Sequence, residues 1–147
     1  MKILCAELIT ELVQPVTFEK EFTLEAVCPF LLMINSPSGT FNFEMIKDAT
    51  TVFSKTFTSA DLKTALGTTS DYLYSFHPII PDSPIRIKRG DYTFKINHLG
   101  YTFSDSSFLG WGQQHEDRQN AVSYTITGSS NLPLAFRIKT KKEGIND

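Results

Sequence analysis

Apolar and polar residues alternate with a period of two along much of this chain, and that pattern admits few folds. In Thr40-Phe41-Asn42-Phe43-Glu44-Met45, the residues Phe41, Phe43 and Met45 point one way, while Asn42 and Glu44 point the other. In Asp91-Tyr92-Thr93-Phe94-Lys95-Ile96-Asn97, Tyr92, Phe94 and Ile96 form one face, with Thr93 and Lys95 opposite. Val122, Tyr124 and Ile126 repeat the pattern, as do Leu134, Phe136 and Ile138. Successive side chains of a strand point to opposite faces, so each run reads as a strand with one dry face and one wet face.

Further strands are predicted over residues 3–13, 17–25, 30–35, 51–57, 72–77 and 85–88. Turn chemistry separates them. Ser36-Pro37-Ser38-Gly39 reads as a hairpin loop, Lys47-Asp48-Ala49-Thr50 as the next turn, and Gly90-Asp91 as a tight turn. Pro78, Pro81 and Pro84 cannot donate to a central ladder, so 78–84 reads as an extended connection between two sheets. One short helix is predicted near residues 59–67, with Ser59 as N-cap and Gly67 as the left-handed stop. Leu62 and Leu66 lie four apart and share a helix face that can close an end of the core. Strands at regular spacing with one short helix predict an all-β fold: two antiparallel sheets in a jelly-roll-like sandwich. The 147 residues suit a single domain, with 1–16 as an N-terminal arm or edge strand broken at Gln14-Pro15.

Composition narrows the function. Twelve of the aromatic residues are Phe, which carries no polar atom to satisfy in a core. The net charge of -2 and the alternation of Arg86, Lys88 and Lys139, Lys141 along strands argue against a nucleic-acid partner. No apolar run approaches the length of a membrane span, so no membrane insertion is expected. Glu7 and Glu11 interrupt the apolar start before a secretory h-region is complete, which predicts a chain made in the cytoplasm without an export signal. Cys5 and Cys28 read as two thiols packed as small apolar residues, although one bridge between them remains open.

Motifs for chemistry are sparse. His77, His98 and His115 show no metal-ligand spacing, and no Cys-x-x-Cys or Gly-x-Ser-x-Gly occurs. Glu116 and Asp117 are adjacent, so in a strand they face opposite ways and cannot act as a pair. No catalytic residue, metal or cofactor is therefore expected. The most unusual segment runs from Ser107 to Arg118 and holds the single Trp between two glycines. Trp111, Gln113, Gln114 and His115, with Tyr101, form a candidate ligand-binding loop, because an aromatic plate beside amide groups suits a sugar. A second reading has Trp111 buried at a sheet edge, with Gly110 and Gly112 allowing a bulge. Tyr101, Asp105 and Asp117 also offer oxygen atoms to a calcium ion.

Three stretches carry a resemblance: Thr58 to Leu62, Asp71 to Phe76, and Ile85 to Ile96, followed by a closing Leu132-Pro133-Leu134-Ala135-Phe136-Arg137-Ile138. Over about half of the chain it resembles jelly-roll modules of the carbohydrate-binding-like and CUB-like type, which recur in viral attachment and decoration proteins. The resemblance implies no catalytic residue. Together with the missing export signal, it implies a bacteriophage virion accessory protein that decorates a capsid or belongs to a tail or fibre. Its partners would be further copies of itself or other virion proteins. A carbohydrate-binding module using the Trp111 loop is the alternative.

Overall fold

A computed structural model describes residues 5–113, 124–126 and 133–141. Among them the strands form two antiparallel sheets. One sheet holds β1 (Cys5–Glu7), β3 (Phe22–Ile34), β6 (Leu73–Phe76), β7 (Ile85–Ile87), β9 (Phe108–Gly112) and β11 (Phe136–Thr140). The other holds β10 (Tyr124–Ile126), β2 (Leu12–Phe18), β8 (Gly90–Leu99), β4 (Thr40–Lys47) and β5 (Thr50–Phe57), in that spatial order. Most connections cross between the sheets, so the fold is an all-β two-sheet sandwich.

The alternation decides which side chains meet between the sheets. Val16, Phe18, Phe41, Phe43, Met45, Phe94 and Ile96 face inward from one sheet, and all are almost completely buried. Leu24, Val27, Leu31, Met33, Leu109, Trp111 and Phe136 do so from the other. Phe94 and Phe136 meet edge to face across the gap, with ring centroids 4.9 Å apart. Such apolar burial supplies most of the driving force for this fold.

The central ribbon of the first sheet is β3. One side pairs with β6 and β7, and the other with β9 and β11. The sequence predicted two strands, over 17–25 and 30–35, and a loop between. Instead β2 ends at Phe18 and β3 runs unbroken through Pro29 to Ile34. Pro29 is tolerated because its carbonyl still accepts from His77 N at 2.9 Å, while β11 lies opposite.

Within residues 5–16, expected as an arm or an edge strand, β1 is the edge of one sheet and Leu12–Val16 pairs inside the other. Three further expectations change. Pairing also continues through Gln14 and Pro15, opposite Phe94 and Thr93. The 36–39 loop joins strands of different sheets, so it is a crossover rather than a hairpin. There Gly39 has φ +101°, and a Cβ on it would lie 2.7 Å from the Gly100 backbone. The proline-rich 78–84 stretch joins β6 to β7, both on β3, so it stays within one sheet. Ile79 bridges to Val27 on the way, and the prolines fall where the chain lies at an edge.

The helix, α1 (Ser59–Leu66), is capped one residue earlier than its sequence predicts. Thr58 is the N-cap, and its hydroxyl accepts from Asp61 N at 3.2 Å. Asp61 reaches back to Thr58 N at 2.9 Å, completing a capping box. Ser59 is the first helical residue and uses its buried hydroxyl on Pro37 O at 2.6 Å. Gly67 adopts the left-handed stop at φ 65°. Leu62 is buried, but Leu66 faces solvent, so only one of the pair closes the core.

Candidate functional site

The expected ligand-binding residues separate in the fold. Trp111 lies within β9, paired with Leu31 on one side and Ala6 on the other. Its side chain is fully buried, and its indole N–H donates to Ala135 O at 2.7 Å. A sugar platform needs an open aromatic face, and this indole has none. The register also shows no bulge at Gly110 or Gly112. These glycines leave room for neighbours instead. A Cβ on Gly112 would lie 2.5 Å from Phe30 Cδ1, and one on Gly110 would lie 3.0 Å from Cys5 Sγ.

Tyr101 is buried as well. Its hydroxyl donates to Leu8 O at 2.8 Å and accepts from Leu109 N at 3.2 Å. Burial pushes its pKa up, because the phenolate form would lose hydration. Both functions of the hydroxyl are spent on backbone, so neither sugar nor calcium is served by it. Gln113 is half-buried and bridges to Leu134. Gln114, His115 and Asp117 lie outside the described residues.

The two described histidines serve the scaffold. His98 Nε2 lies 2.7 Å from Ile9 O, and a carbonyl only accepts, so Nε2 carries the proton. The ring rests edge-on against Tyr101, with centroids 4.8 Å apart. The His77 ring is buried with no hydrogen-bond partner on either nitrogen. Burial pushes its pKa down to about 4. Nucleophile activation needs a base bonded to a hydroxyl or thiol. Neither ring makes such a bond among the described residues. The thiols of Cys5 and Cys28 are free and half-buried, and burial raises both pKa values. Among the described residues, no three His, Cys, Asp or Glu side chains come together to hold a metal ion.

The best-developed surface is elsewhere. On the outside of the first sheet, alternation brings together Phe30 of β3, Tyr74 and Phe76 of β6, and Arg137 of β11. The Phe30 and Phe76 rings pack edge to face with centroids 5.0 Å apart. The Arg137 guanidinium lies over the Phe76 ring at 4.0 Å from its centroid. Tyr74 stands beside Leu32 and is 48% exposed, and Tyr72 just ahead of it is 52% exposed. Tyrosine and arginine present large, stiff contact areas with polar tips, which suits recognition at modest entropic cost.

No protein-family model, curated protein or solved structure matches this chain.

Two of the edges are less suited to a partner than this face. Prolines at 78, 81 and 84 interrupt the edge formed by β6 and β7. On the β5 edge, Lys55 sits opposite Phe43 and pairs with Asp82 at 2.9 Å. Prolines and inward-placed lysines are how sheet edges resist strand addition. The same ion pair spans a groove of about 570 Å³ between Phe57 on one sheet and Ile79, Ile80 and Pro81 beside the other.

The sequence did not mark Tyr72 or Tyr74. Their alternation with Leu73 and Ser75 was legible as a strand. That the tyrosine side faces water was not, because it depends on which face of β6 meets the second sheet.

Proposed function

We propose that this protein is a non-enzymatic structural component that works through protein–protein contacts. The outer aromatic face of its six-stranded sheet makes those contacts. The observation that carries this reading is the exposure of Tyr72 and Tyr74 beside the Arg137–Phe76 stack. Interface hot spots are enriched in Tyr and Arg set against well-packed neighbours, and Phe30 and Leu32 supply that backing here. The setting comes from the resemblance: an accessory protein of a virus particle, assembled in the host cytoplasm as capsid decoration or as part of a tail or fibre. Its partners are then further copies of this chain or other virion proteins.

The test has two arms. Sedimentation velocity at micromolar concentration reads self-association, and peptide mass spectrometry of purified particles reads incorporation. The expected result is an oligomer, or a particle-bound chain, that is lost in the Tyr72→Ser/Tyr74→Ser variant. A wild-type monomer that appears in no particle overturns the reading.

A further inference from the structure

The opposite face of the sandwich carries a different arrangement. On the outside of the five-stranded sheet, Asn42 and Glu44 of β4 stand directly opposite Asn97 and Lys95 of β8. All four side chains are half-buried. Glu44 Oε2 accepts from Asn97 Nδ2 at 2.8 Å and from Asn42 Nδ2 at 3.2 Å. The two amides thus fix one carboxylate oxygen and leave Glu44 Oε1, Asn42 Oδ1 and Asn97 Oδ1 with no hydrogen bond among the described residues. Lys95, though opposite Glu44 in register, reaches only Glu11 among the described residues, at a loose 3.9 Å.

We propose that this array binds a neutral polyhydroxylated ligand, namely a glycan. A sugar hydroxyl both donates and accepts. Fixed acceptors beside the Lys95 ammonium offer both functions within a single patch. Two carboxylates, Glu44 and Glu11, stand beside the one ammonium of Lys95, so the patch has no positive excess and a neutral ligand fits it better than an anion. Sugars also carry an apolar C–H face. Leu99, two residues along β8 on the same side, is 80% exposed beside the array. Internal hydrogen bonds hold the Glu44 and amide rotamers before any ligand arrives, which lowers the ordering cost of binding. The inference does not depend on the aromatic face, which lies on the other sheet, nor on the buried Trp111.

An array of immobilised neutral and sialylated oligosaccharides tests it. The proteins compared are wild type, Glu44→Ala, Asn97→Ala and, as a control on the other sheet, Lys139→Ala, each checked by thermal melting. Wild type is expected to bind neutral glycans. Glu44→Ala and Asn97→Ala are expected to weaken binding at least tenfold, while Lys139→Ala leaves it unchanged. Should both alanine variants melt early, Lys95→Met reads the same site from its solvent side, with a similar loss expected. The proposal is overturned if folded wild type binds no glycan or only sialylated ones. Binding that survives in the folded Glu44→Ala and Asn97→Ala variants, or that is lost only in Lys139→Ala, overturns it equally.

Discussion

The indole N–H of Trp111 donates to the carbonyl of Ala135 at 2.7 Å, and the same carbonyl accepts from Phe30 N at 2.9 Å. One oxygen therefore joins β9, β3 and the approach to β11. Gln14 reinforces the junction from the other sheet, because its Oε1 accepts from Leu134 N at 2.8 Å. Gln14 is buried, and its amide N–H also donates to Pro15 O at 2.7 Å, so the group is satisfied at both ends.

Trp111→Phe removes this donor and part of the ring volume. The expected loss is about 1–3 kcal/mol of unfolding free energy in urea. Because Trp111 is the single Trp, the native emission should be blue-shifted and protected from acrylamide. An emission maximum like that of free tryptophan would contradict the burial.

Gly112→Ala tests why glycine occupies that position. The added Cβ would approach Phe30 Cδ1 to 2.5 Å, so the Phe30 ring must move off its seat. Overpacking of this kind costs about 1–3 kcal/mol. The paired variant Gly112→Ala/Phe30→Leu should recover part of the loss, measured as the coupling in a double-mutant cycle.

His77 makes stability depend on pH. Its folded pKa lies at about 4, below the 6.5 of the free side chain, because burial disfavours the charged ring. The unfolded chain therefore binds a proton first as pH falls. Stability should be complete above pH 6.5 and fall between pH 6.5 and 4, by up to roughly 3 kcal/mol. Below that window the ring is protonated in both states, and this contribution stops changing. His77→Phe should flatten the profile in that window. An unchanged slope in the variant would assign the acid sensitivity to other groups.

Thr58→Ala removes the capping box of α1. The Asp61 N–H loses its acceptor, at an expected cost of about 0.5–2 kcal/mol. Ser59→Ala should also destabilise, through the buried bond to Pro37 O rather than through capping. Thermal melts of the two variants, and of a Thr58→Asp variant that restores an acceptor, distinguish the roles.

The alternation of Phe41, Phe43 and Met45, and of Tyr92, Phe94 and Ile96, was enough to assign strands and their dry faces. It needs only neighbours in the chain and the two-residue repeat of a pleated ribbon. The same logic placed the helix to within a residue at its start, since cap chemistry is local. It did not reach the surfaces available for binding. Gly110-Trp111-Gly112 left open a contact loop or a Trp buried at a sheet edge, because glycines usually punctuate strands; the structure buries the Trp. Here the glycines lie beneath Cys5 and Phe30, residues far away in sequence. In sequence, Tyr101 reads as a ligand group that offers an oxygen to a sugar or a calcium ion. Its partners are Leu8, in the connection from β1 to β2, and Leu109, in β9.

Sequence alone determined that this chain forms pleated ribbons with one greasy side each, since that follows from covalent geometry and the order of residue types. Tertiary structure alone decided which aromatic side chains are sealed inside and which, like Tyr72 and Tyr74, reach water. Burial belongs to pairs of distant segments, and no local pattern records which segments will meet.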